Sequence, residues 1–277
     1  MIAPRLPFLL FLALSSTVVW GWGGGCQAAE VADDPWQAAA TFLVADAYRG
    51  FSRDKSLDEN ERKFGLAITL LNAQPRTQGN LERALKSFDE IAEAVPHGRP
   101  LNALARFFAA RVREFYLAIP DLPTASETYI ALVKESTGSP VIELAAARAV
   151  MIAAFAEPSA GETALEKTQA LESLDPFLTT PEGRREFHAT MGYALLDLGG
   201  DAGNAVNHFL AADRIGYTHK AAAMRLWLVA AGAAAKAGRG GEALAFYQKM
   251  VDTYPHDPRA FTARQRIQAL EKPSRDP

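Results

Sequence analysis

An alanine, a ring or a small residue four positions on, and an apolar residue three beyond that recur five times in this chain. The sets are Ala84/Phe88/Ile91, Ala125/Tyr129/Leu132, Ala164/Thr168/Leu171, Ala205/Phe209/Ala212 and Ala243/Tyr247/Met250. Their leading alanines are separated by 41, 39, 41 and 38 residues. Positions i, i+4 and i+7 share one face of an α-helix. A small residue at a helix crossing lets two axes approach, and a large one a turn later fills the space beside it. One helix pair of this kind cannot bury both its apolar faces, so it requires neighbours. A fixed spacing of one such unit is the mark of a helical solenoid.

The last unit is the most complete. A first helix over residues 224–237 is followed by Gly238-Arg239-Gly240-Gly241, a second helix from Glu242 to about Tyr254, and Pro255. Trp227, Ala231, Gly238, Ala243, Tyr247 and Pro255 occupy the successive signature positions of a tetratricopeptide repeat, and the unit resembles that family. Upstream the pattern is looser. His188 stands where Trp is usual, Thr168 replaces the ring, and Thr137 and Tyr217 replace the closing proline. The period also exceeds the family's usual 34 or so. The resemblance implies an all-α fold: a right-handed α-α superhelix of about five helix-turn-helix repeats with terminal capping helices.

Composition agrees with an array of helices. Apolar residues make up 49 % of the 277, alternating Val- and Ile-rich segments are scarce, and glycine and proline fall at the expected turns. The net charge of −3, with no basic run, argues against nucleic acid as a partner. Residues 36–272 are expected to form a single solenoid, with residues 273–277 a disordered tail.

Residues 1–29 read as a signal peptide. Arg5 supplies the positive start, residues 6–19 the apolar stretch, and the small residues 23–29 the exit. Signal-peptidase cleavage fits after Cys26-Gln27-Ala28 or Gln27-Ala28-Ala29. Cys26, the only cysteine, permits no intramolecular disulfide. Its place resembles that of a lipoprotein's acylated cysteine and offers a membrane tether, but Gly23-Gly24-Gly25 stands where that class carries a Leu-like residue. Removal with the leader, a free thiol, and a bridge between two chains are the other fates. Residues 30–35 form an acidic linker. The expected location is the periplasm or the outer membrane.

Beyond the linker, residues 36–51 read as one amphipathic helix with Trp36, Ala40, Leu43, Ala47 and Phe51 on its stripe, capped by Asp33 or Asp34. A second helix follows from about Leu57 to Leu71. The loop over residues 74–80 is longer than a repeat turn needs, and inserted loops of solenoids can sit at binding faces. At the far end, Asp257 and Pro258 open a helix to Lys272 that would cover the end of the stack with Phe261, Ala263, Ile267 and Leu270.

In the resembled family the first helices line a concave groove. That register places Phe107, Ala110 and Glu114 on the groove, then Ala146, Ala149 and Ala153, then Glu186, Ala189 and Tyr193, then Arg225, Leu228 and Gly232. The candidate protein-binding residues are accordingly Phe107, Ala110, Glu114, Tyr193, Arg225 and Leu228. A small-sided, mostly apolar wall suits a helix or an extended peptide.

Nothing in the sequence supports catalysis. None of His97, His188, His208, His219 and His256 lies at metal-ligand spacing from another ligand type. There is no phosphate-binding loop after a strand and no serine nucleophile elbow. The sequence therefore calls for no cofactor and no metal. The final unit, from Tyr247-Gln248-Lys249-Met250 to His256-Asp257-Pro258, resembles repeats of bacterial envelope assembly factors, such as the lipoprotein of the β-barrel assembly machinery and the periplasmic partner of the Tol–Pal system. The implied role is an exported scaffold holding a protein or peptide. The competing role is a peptidoglycan- or carbohydrate-associated protein, catalytic or not, with the solenoid as its frame. A groove dense in carboxylates and rings would favour that one. Self-association through residues 36–51 or the terminal helix is a third reading.

Overall fold

The computed structural model describes residues 34–135, 138–156 and 161–271, and every regular element among them is helical. The chain divides into two compact units, Met1–Ala145 and Ala146–Pro277. The first contains α1 (Pro35–Ala40), α2 (Val44–Arg53), α3 (Glu59–Asn72), α4 (Gln78–Ala94), α5 (Pro100–Phe115) and α6 (Leu122–Lys134), each packed on the next. The helix α7 (Pro140–Phe155) contains the division point. In the second unit α8 (Ala164–Ala170) runs into a 3-10 turn, Leu171–Phe177. It is followed by α9 (Pro181–Asp197), α10 (Ala202–Ile215), α11 (Lys220–Lys236), α12 (Gly240–Thr253) and α13 (Pro258–Glu271), again packed in sequence order. Within each unit this is a run of helices packed in sequence order as hairpins.

The repeated residues are where the packing is tightest. Ala84, Ala125, Ala205 and Ala243 are fully buried, and Phe88, Tyr129, Phe209 and Tyr247 beside them are buried as well. In the first unit Phe88 meets Phe64 and Phe108 at ring separations of 5.5 and 5.7 Å, so one ring from each of α3, α4 and α5 forms a single cluster. Buried rings at such separations add to the burial of their area. Helix starts are set by side chains that accept from orphan N–H groups: Asp34, Asp58, Thr77, Asp121, Thr180 and Asp201 all cap in this way. Two ends, 39 residues apart in sequence, are built alike. Gly199 and Gly238 adopt φ of 71° and 72°. The N–H groups of Gly200 and Arg239 return to Leu195 and Ala234 at 2.8 Å, closing α9 and α11 as Schellman motifs.

Three expectations are corrected. Residues 36–51 are two helices: the Thr41 hydroxyl donates back to the Gln37 carbonyl, Phe42 takes φ 60°, and the Leu43 N–H turns to the Ala38 carbonyl. Thr168 leaves its repeat without a ring, and its α-helix stops at Ala170. The Ser173 hydroxyl donates to the Ala170 carbonyl, and Pro176 brings no N–H to extend the spiral. On α13 only Ala260, Ala263 and Ile267 are buried, whereas Phe261 and Leu270 are exposed. The leader, the linker up to Asp33, Cys26, Thr137 and the tail lie outside the described residues.

Two glycines allow the closest helix approaches. A Cβ on Gly65 would meet the Phe51 ring at 2.4 Å, and one on Gly192 would meet the Phe209 ring at 2.6 Å. Gly232 of α11, by contrast, opens onto empty space. Gly232→Ala should therefore stabilise the fold by about 0.5–1 kcal/mol through backbone entropy, whereas Gly192→Ala should destabilise it by about 1–3 kcal/mol through overpacking. Urea unfolding of the two variants checks the opposite signs.

Candidate functional site

The first helices of the last two hairpins, α9 and α11, share a face in the second unit. Glu186 and Tyr193 of α9 and Arg225, Leu228 and Gly232 of α11 follow helical spacing on their own helices. Tyr193 is half-buried, with the edge of Phe209 supporting its ring at 5.1 Å. Over the ring lies the Arg225 guanidinium, 5.0 Å from its centre. Two turns back, the Arg185 guanidinium covers Tyr217 at 5.3 Å, donates to the Gly216 carbonyl and pairs with Glu186 at 3.2 Å. The result is a strip of two rings, each covered by an arginine, bordered by half-buried Leu228 and by the open space at Gly232.

Burial raises the pKa of the Tyr193 phenol, Glu186 pushes it in the same direction, and Arg225 opposes both. Tyr217 is also pushed up, by burial first and then by Glu186. Arg225 makes no ion pair among the described residues and is exposed, so its stacked guanidinium keeps its in-plane donors free. Next to the strip the charges are already matched. Asp213 accepts from the Trp227 indole at 2.6 Å and from Lys249 at 2.7 Å, and Lys249 also lies 5.0 Å from the Trp227 ring. The strip can stack, hydrogen-bond and pair with charge. Among the described residues no group of three or more His, Cys, Asp or Glu is placed to hold a metal ion.

The six residues read from the sequence separate into two sets. Tyr193, Arg225 and Leu228 lie on this face, and the first two are in contact. Phe107, Ala110 and Glu114 sit in the interior of the first unit and offer no free wall there. Phe107 packs on Tyr129 at 5.8 Å, Ala110 is fully buried, and the Glu114 carboxylate accepts from the Tyr129 hydroxyl at 2.9 Å. The phenol on α6 draws that stripe of α5 inward. Ala189, expected on the groove, is buried too.

Two features escaped the sequence. His188 and His208, twenty residues apart, meet at Nδ1–Nδ1 3.0 Å. A hairpin brings them together, and in sequence only the helical phase of the two helices could have hinted at it. In the first unit, the loop after α3 walls an open hollow of about 770 Å³ with Phe42, Tyr48, Leu70, Ala73 and Arg76 among its lining. Arg76 covers Tyr116 there at 4.9 Å.

No family model matches the chain, and no curated protein matches it. Among solved structures it is similar to a thermophilic TPR protein of Thermus thermophilus. The identity is 19 % over 76 % of this chain and 98 % of that one, with a TM-score of 0.41.

If Arg225 lies on Tyr193 in solution, Arg225→Met will raise the Tyr193 pKa further, because it removes the one group that holds it down. A Cζ chemical-shift titration reads this directly, and an unchanged midpoint would show the two side chains apart.

Proposed function

We propose that this protein is an exported, non-catalytic scaffold that holds a protein or peptide partner against the α9–α11 face. The observation that carries the reading is the Tyr193–Arg225 stack beside Leu228 and the gap at Gly232. A ring, a free guanidinium and a half-buried aliphatic side chain beside open space are anchors that peptide-binding surfaces use. Among the described residues the carboxylate on this strip is Glu186, already tied to Arg185. That scarcity of carboxylates favours a protein or peptide over peptidoglycan or another carbohydrate. The leader-like residues 1–29 and the resemblance of the last unit to envelope factors support a role in bacterial envelope assembly or maintenance, in the periplasm or at the outer membrane, with Cys26 as a candidate tether. No nucleic acid, cofactor or metal enters the reading.

Crosslinking in cells followed by purification of the mature protein tests it, with Arg225→Ala and Gly232→Leu as groove variants and Gln265→Ala on exposed α13 as control. One partner should be recovered by the native protein and the control and lost by both groove variants, all folded by circular dichroism. A partner that survives both groove variants removes the assignment. Mass measurement of the envelope-fraction protein should show residues 1–28 or 1–29 absent, or a diacylated Cys26 at the new start. An intact Met1 on protein found only in the cytoplasm overturns export.

A further inference from the structure

The His188–His208 contact joins the two helices of one hairpin, α9 and α10, in a place closed to solvent: each side chain is only 11 % exposed. The rings lie 5.3 Å apart with their Nδ1 atoms facing at 3.0 Å. Their outer nitrogens point at carboxylates of the 3-10 turn. His188 Nε2 lies 3.3 Å from Asp175 Oδ1, and His208 Nε2 lies 3.7 Å from Glu172 Oε1. Asp175 Oδ1 is itself buried and makes no well-directed hydrogen bond. Asn204 of α10 donates to Glu172 at 3.0 Å, and Arg184 of α9 stands 3.7 Å from Asp175. Glu172, Asp175 and Arg184 are the charged groups that face the pair. Among the described residues, α8 and α11 place none against it.

This geometry counts protons. Four ring nitrogens are present, but the Nδ1–Nδ1 contact has room for one hydrogen, because one ring must accept what the other donates. Each Nε2 can carry a hydrogen toward its carboxylate. The closed pair therefore accommodates two ring protons when neutral and three when it shares one positive charge. A fourth would set two N–H groups head to head at 3.0 Å. We propose that His188 and His208 form a proton-operated latch between α9, α10 and the Glu172–Asp175 turn, closed with up to three ring protons and opened by the fourth. The latch stands on this contact whatever the α9–α11 face binds.

The electrostatics agree in direction. Burial is the main cause that lowers both histidines below the ordinary value; Asp175 and Glu172 pull the other way, and His208 further lowers His188. In the unfolded chain both rings titrate at about 6.5. Below that pH the unfolded chain binds more protons than the closed pair, so stability is full above about pH 6.5 and falls as the solution is acidified.

Urea unfolding at pH 7, 6 and 5 should show this for the full chain without its leader. Each ring proton bound only by the unfolded chain shifts the folding equilibrium constant up to about tenfold per pH unit. His208→Gln and His188→Gln should each flatten that slope. Equal slopes in native and variant proteins overturn the latch. If a variant does not fold, a ¹⁵N-histidine NMR titration of the native protein decides instead. At pH 7 one Nδ1 should be protonated and the other should accept, and loading the fourth proton should shift amide signals of α9, α10 and residues 171–177 together. Two Nδ1 atoms that protonate at the ordinary value without such shifts refute it.

Discussion

A ring pressed onto a glycine of a neighbouring helix is the closest helix contact in each unit. Phe209 of α10 lies on Gly192 of α9 so closely that a Cβ there would stand 2.6 Å from the ring. In the first unit Phe51 of α2 lies on Gly65 of α3, with the ring on the earlier helix and a Cβ–ring distance of 2.4 Å. Ring and gap are both needed. Without the gap the axes separate and the flanking alanines lose contact, and without the ring the gap is a cavity whose cost grows with its volume. Helix propensity plays a smaller part, since glycine inside a helix is unfavourable and packing must outweigh it.

The hairpin's weakest counterpart shows the effect of a missing ring. Thr168 holds the ring position on α8, is fully buried, and its hydroxyl makes no hydrogen bond among the described residues. The spiral tightens to 3-10 geometry from Leu171, which turns Glu172 and Asp175 toward α9 and α10. There the first-helix position that carries Trp227 in the last hairpin carries His188. Both rings present a nitrogen to a carboxylate of the element before them: Trp227 Nε1 to Asp213 at 2.6 Å, His188 Nε2 to Asp175 at 3.3 Å. The architecture keeps one slot for a ring nitrogen facing a carboxylate. Histidine in that slot adds what tryptophan cannot, a second nitrogen that reaches His208 and a charge that depends on pH.

This explains what was legible in the sequence. The recurring Ala, ring and aliphatic positions report contacts inside one helix pair, and the structure buries Ala84 and Phe88 in the first unit and Ala205, Phe209, Ala243 and Tyr247 in the second. The Schellman ends at Gly199 and Gly238 are equally local. Contacts that depend on one element's tilt against another were not legible. Phe107, Ala110 and Glu114 fit a groove register, yet one phenol, Tyr129, takes Glu114 as its acceptor and seals that stripe. The break at Thr41–Phe42 rests on a threonine hydroxyl returning to its own helix, a competition with no periodic signature.

Within the second unit, the proposed binding face lies between α9 and α11. Both first helices carry rings covered by cations, but the cations differ in what they have left to offer. Lys249 over Trp227 gives its donors to both oxygens of Asp213, and Lys220 over Tyr254 is tied to Asp257. Arg185 is engaged by Glu186 and Gly216. Arg225 alone among these four covers a ring while making no ion pair among the described residues. A guanidinium stacked on a ring is held in place and has shed water from one face while its edge still donates in plane. It therefore loses less conformational freedom on meeting a carboxylate or carbonyl than a free lysine does. Two turns further along α11 Gly232 leaves the face open where a side chain would project. A held donor and open space along the same helix face are what an incoming backbone or acidic side chain can use, and α11 carries both, two turns apart.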